Sequence, residues 1–341
     1  MIRRKLSHWL IMSVASLPWL FSALQASVER DQTSPLDLTV LSTAEKAELA
    51  EVLRLKTQLG DQVWPGLGRI DIPIILYNER YEFLIGEAKP PSPWEVVKGD
   101  NFLGRPYYRH RAENPQAFAV AVGTLWAGSG GTLELMNRKI PFRLSRELHV
   151  VIMLHEVFHA FQATLAPQRF AKAMSVYKSE GRYPYKDPPF SAAWNSEGEA
   201  LADGLKAMDE AAICGLAQEF LEIRDARRRQ ISLDAELISY ECELEWLEGL
   251  AKYAEVRFYE LAASLTSQAG YANYRSGHPF WPADLARLRK NLGHQEGDLR
   301  FYLSGLAQAR LLDRLCPGWK AKAFEDNVNL EDSLRAAILP D

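Results

Sequence analysis

Apolar positions in the first part of the chain come mostly in short runs, and from residue 145 onward they settle into helical spacing over long stretches. Ahead of that change, residues 43–60 carry apolar positions at helical spacing and stop at Gly60, which predicts a short amphipathic helix. Residues 69–86 are rich in Ile, Tyr and Phe with a turn signal at Asn78, and read as two strands. The proline-rich stretch 87–116 reads as an irregular loop. Residues 117–136 read as a hairpin turning around Gly128 to Gly131.

Ser145 can cap a helix that runs through RELHVVIMLHEVFHAFQATL and stops before Pro167. A loop rich in Pro and Tyr (176–191) follows, then two long helical stretches at 196–226 and 233–265. These predict an antiparallel hairpin turning at the cluster Arg227, Arg228 and Arg229, which reads as a solvated turn. Two or three further helices lie beyond GHPFWP (277–282), with Leu306, Leu311, Leu312 and Leu315 as core. Strands first and helices after predict an α+β fold. A small, mostly antiparallel N-terminal sheet (27–142) would pack on a larger helical C-terminal part (143–341). An edge strand within 117–126 could accept an extended peptide.

The first 26 residues are different in kind. Arg3, Arg4 and Lys5 precede an apolar stretch from Trp9 to Leu24, and Ala23 and Ala26 offer small residues near a cleavage point. That is a secretory signal pattern, predicting a mature N-terminus near Ser27 and export to the periplasm or medium. An uncleaved membrane anchor is the alternative. No later segment has the roughly 18 uninterrupted apolar residues of a span, so no stable membrane span is expected after signal removal. With 47% hydrophobic and 25% charged residues, the 341-residue chain can bury a sizeable core. A net charge of −4 gives no bias toward nucleic acid.

The chemistry lies in His155-Glu156-Val157-Phe158-His159, an HExxH motif on the predicted helix. Residues four apart stack on one helix face, so both imidazoles can reach one metal ion, and Glu156 can address a water on it. Zn2+ is the expected cofactor, with Glu156 as general base. The apolar run Val150 to Leu154 would bury this helix, unlike a solvated surface helix. A catalytic zinc needs a third protein ligand. The metzincin pattern would need Gly at 162 and His at 165, where this chain has Gln162 and Leu165, so a downstream carboxylate is expected.

Two segments offer one. Glu199-Ala200-Leu201-Ala202-Asp203 resembles the ExxxD helix of thermolysin-like and neprilysin-like peptidases, which implies Glu199 as ligand and Asp203 as support for a ligand histidine. Glu248-Gly249-Leu250-Ala251, with Tyr253 and Glu255 after it, resembles the WLxEGxAxYxE segment of aminopeptidase-type gluzincins and of secreted bacterial peptidases. One residue is missing between Trp246 and Glu248 relative to that pattern. Together with HExxH, the resemblance is to gluzincin zinc metallopeptidases, and it implies hydrolysis of a peptide or protein substrate. Local chemistry favours Glu248. Ser196-x-x-Glu199 forms a capping box that already occupies Glu199, whereas Glu248 sits mid-helix among Trp246, Leu247 and Leu250, where a carboxylate needs a partner. In a straight hairpin the two glutamates would stand about 13 Å apart along the axis, so only one would serve.

Cys214 and Cys242, each 14 residues from position 228, would stand level in that hairpin and are a disulfide candidate in an exported protein. Two buried thiols are the alternative. Tyr302, His278 and Tyr253 are candidate oxyanion donors by residue type, with core or structural roles as the alternative for each. The rival to an enzyme is a non-catalytic exported binding or scaffold protein with a degenerate or structural HExxH.

Overall fold

The computed structural model describes residues 37–265, 274 and 279–338. The signal segment, Ser27 and His278 lie outside the described residues. The architecture is α+β, and the chain divides into two compact units, one of residues up to Arg54 with Asp71–Val157, the other of Leu55–Ile70 with Phe158 onward.

The first unit opens on helix α1 (Thr43–Val63), whose later turns belong to the second unit. Ser42 and Glu45 cap it reciprocally, the Glu45 N–H donating to Ser42 Oγ and the Ser42 N–H to Glu45 Oε2. The helix continues past Gly60 to Val63, and the glycine makes room for the backbone of Gly68 rather than ending the helix. A Cβ on Gly60 would lie 2.7 Å from the Gly68 nitrogen.

Strands β1 (Ile74–Tyr77) and β2 (Tyr81–Ile85) form the expected hairpin, with Asn78 Oδ1 accepting from the Arg80 and Tyr81 N–H groups. The stretch read as an irregular loop contains two strands, β3 (Glu95–Val96) and β4 (Tyr108–Arg111). Here pairing with β2 from Tyr81 to Leu84 overrides the proline signal, since the prolines flank the paired residues.

Strands β5 (Phe118–Val122) and β6 (Leu125–Gly131) complete a sheet of order β3-β4-β2-β1-β6-β5. All pairings are antiparallel except β1 with β6, and β5 lies at an edge, as the sequence predicts. The β5–β6 turn is at Gly123, with φ 61°, rather than at Gly128 to Gly131. Those glycines lie within β6 for a different reason. Helix α3 (Arg146–Leu165) crosses so close that a Cβ on Gly128 would lie 2.7 Å from the Val157 Cα, and one on Gly130 would meet the Met153 sulfur. The short helix α2 (Leu133–Lys139), capped by Thr132, leads into α3, which Ser145 caps by accepting from the Leu148 N–H. By length and hydropathy α3 could cross a membrane, but 83% of its apolar window is buried in the protein. It is a core helix.

In the second unit α3 is followed by α4 (Pro167–Val176), a 3-10 turn (Tyr177–Arg182), α5 (Pro188–Lys206), α6 (Glu210–Gln230) and α7 (Ala235–Leu244). A π-helical turn (Glu245–Gly249) runs directly into α8 (Leu250–Ser264). Helices α9 (Trp281–Asn291), α10 (Asp298–Leu315) and α11 (Leu330–Ile338) complete the unit.

The helical unit departs from the sequence expectation in three ways. The stretch 196–226 is not one helix. Asp187 caps α5 and Asp209 caps α6, with a break between, so Ser196 lies mid-helix and does not cap Glu199. Cys214 and Cys242 are both free. The turn after α6 comes at 231–234, later than position 228, which sets Cys214 about nine residues, or ~13 Å, beyond the level of Cys242. Arg227 and Arg228 are buried, not solvated. They and Arg224 form an ionic network with Glu197, Glu241, Glu245 and Glu331.

Candidate metal centre

Helix α3 passes under the glycine strand with its HExxH turns buried. His155, Glu156 and His159 are each no more than 4% exposed. The apolar side chains of Val150, Val151, Leu154, Val157 and Phe158 secure that burial, and Gly128 and Gly130 admit the helix backbone to the sheet.

Glu248 comes from the π-helical turn, which continues α7 and starts α8. A π turn holds one extra residue per turn, re-aims side chains, and recurs at functional positions. This one is held by close packing on α10. A Cβ on Gly249 would lie 2.5 Å from the Gly305 Cα, and one on Gly305 would lie 2.5 Å from the Glu245 oxygen. Glu248 is 3% exposed, and its Oε2 lies 3.3 Å from His159 Nε2.

One ligand atom from each of His155, His159 and Glu248 lies within 4.8 Å of the others. Two ligands about 2.0–2.1 Å from a tetrahedral metal are themselves about 3.3 Å apart. The two-histidine, one-carboxylate donor set and the His159–Glu248 spacing therefore suit a zinc ion. No protein-family profile, curated protein or solved structure matches the chain.

The other carboxylate considered as a third ligand, Glu199, lies elsewhere. The Glu199 side chain is 61% exposed and pairs with Arg289 at 3.5 Å, and Asp203 pairs with the same guanidinium. Neither joins the cluster. Tyr253 donates to Asp313 at 2.7 Å and meets Lys320 at 2.6 Å among Trp64 and Trp319, which assigns it to the core. Tyr302 is buried on α10, close enough to Tyr177 for the two phenols to influence each other.

Four residues of this site were not singled out as functional from sequence. Tyr177 donates to Glu248 Oε1 at 3.1 Å. Burial, with the charges of Asp298 and Glu248, pushes the Tyr177 phenol well above its ordinary range, so it keeps the proton it donates. Asp298 lies against the same hydroxyl. Burial and then the Glu248 charge push its carboxyl well above the usual range, while the Tyr177 hydrogen bond acts the other way.

Tyr77, at the end of β1, is buried near Glu156. Burial first, then the Glu156 charge, raise its phenol. Gln162 is fully buried and reaches His159 Nδ1 at 3.0 Å. For Gln162 a signal existed: it stands three residues after His159, on the same helix face. For Tyr177, Tyr77 and Asp298 only tertiary packing supplies the information.

Proposed function

We propose that this protein is a zinc-dependent hydrolase of gluzincin type acting on peptide bonds. His155, His159 and Glu248 hold the zinc, and Glu156 is the general base. The observation that carries the reading is the meeting of Glu248, 89 positions after His159, with both histidines of HExxH inside one buried cluster. A structural HExxH has no need of a buried glutamate brought to it from another helix.

Zinc held there would supply Lewis acidity, polarising a carbonyl and acidifying water. Glu156 takes a proton from the attacking water and passes it to the leaving nitrogen. Tyr177 holds the Glu248 carboxylate by its Oε1, leaving Oε2 facing His159. Tyr302 is the proposed donor to the developing oxyanion, and an edge strand such as β5 would pair with an extended substrate. Export is part of the proposal and rests on the N-terminal sequence.

The test is Glu156→Gln. That variant should keep its zinc and its fold while hydrolysis of a peptide library falls by at least about 100-fold, the usual scale of a lost general base. Turnover equal to wild type would refute the assignment.

A further inference from the structure

His159 and Glu248 come from elements far apart in sequence, and one side chain bonds to the ring of the first and to the turn that carries the second. Gln162 Nε2 donates to the Trp246 carbonyl at 2.8 Å and to the Leu247 carbonyl at 3.2 Å, and its Oε1 lies 3.0 Å from His159 Nδ1. All of these groups are buried.

The amide's direction follows from this chemistry. Reversing it would set its oxygen against two carbonyl oxygens, so the nitrogen faces the π turn and the oxygen faces the histidine. A ring nitrogen that faces a carbonyl oxygen carries the proton. His159 Nδ1 is therefore the N–H, and Nε2, on the side of Glu248, is the nitrogen available to a metal. The same amide spans two successive carbonyls of the π turn, and so fixes the height of residue 248 relative to His159.

We infer that Gln162 is a positioning residue that sets the ring nitrogen His159 presents and registers the π turn that delivers Glu248. The inference rests on reading the cluster as a metal site. It goes beyond the ligand set, because it makes two ligands depend on one neutral side chain that touches no metal.

Two substitutions separate positioning from packing. Gln162→Leu removes both ties at similar volume, whereas Gln162→Glu keeps an acceptor for the His159 N–H. In chelator competition Gln162→Leu should bind zinc roughly 10–100-fold more weakly than wild type, the range typical of lost support behind a ligand. Gln162→Glu should recover only the part of that loss that comes through the His159 ring, because its second oxygen would stand against the Trp246 and Leu247 carbonyls. Wild-type affinity in the Leu variant would overturn the inference, and so would equal losses in both variants with matching drops in metal-free melting temperature.

A second readout needs no metal. Proton NMR of the metal-free wild type should show a protected, downfield His159 Nδ1–H that is absent from Gln162→Leu. Its absence from wild type overturns the tie. A wild type that shows this proton yet takes up no zinc removes the metal reading instead and leaves the tie in place.

Discussion

At the scale of single residues, the site depends on how the buried Glu248 carboxylate is held. Glu248 receives the Tyr177 hydroxyl on one oxygen and faces His159 with the other. Tyr177→Phe removes this hydroxyl, and with it the contacts to Glu248 and Asp298, without a cavity. It should weaken zinc binding roughly 10-fold or more, as loss of support behind a ligand does, with little change in melting temperature. Isothermal titration beside thermal melts checks this, and unchanged affinity would remove Tyr177 from the site. His155, Glu156 and His159 were legible in the sequence because four-residue spacing on a helix is local geometry. Glu248 was legible as a carboxylate placed among apolar neighbours. The capping assignment for Glu199 favoured the same choice for a wrong reason, since α5 begins at Pro188, ahead of Ser196. Tyr177 and Asp298 lie 71 and 50 positions from Glu248, and nothing in their local patterns announces the meeting.

Among elements, the decisive packing is of α3 on β6 and of the π turn on α10. Both depend on glycine for space rather than for turning. Gly128→Ala would place a methyl group 2.7 Å from the α3 backbone at Val157, next to Glu156. A main chain cannot yield as a side-chain tip does, so the helix must shift. The expected cost is about 1–3 kcal/mol, read as a lower denaturation midpoint with unchanged slope. Stability equal to wild type would mean that α3 does not approach β6 so closely. The sequence run Gly128 to Gly131 reads as a turn because glycine's conformational freedom and its small size look identical in one sequence. The break between α5 and α6 was missed for a related reason. Ala207 and Met208 suit a helix, and only the cap at Asp209 marks a new start. Strand β4 shows the opposite error, since local prolines suggested a loop while pairing with β2 dictated a strand.

On the scale of the whole molecule, the buried ionic network dominates the expected response to acid. Burial alone would raise the Glu331 carboxyl, but Arg224 and Arg228 more than offset it and hold it at about 2, below the ordinary value of 4.5. A depressed folded-state value means that this contribution is fully present above about 4.5 and is lost as pH falls toward about 2. Glu241, held by Arg227 and Arg228 against the effect of its burial, acts in the same direction. Acid should therefore lower the melting temperature progressively below pH 4.5. Arg224→Met, which leaves Glu197 and Glu245 buried with a lost partner, should cost about 3–5 kcal/mol at neutral pH and flatten the acid dependence. A flat wild-type profile through that range would contradict the network. Glu245 belongs to this network and stands three positions before Glu248, so whole-chain stability and the site share one turn. The central claim is that Glu248 completes a zinc site with His155 and His159, and metal content per chain tests it most directly. Purified wild type and Glu199→Ala should each carry one zinc, and Glu248→Ala should carry almost none. Wild type without zinc, or zinc retained by Glu248→Ala and lost from Glu199→Ala, would contradict the account.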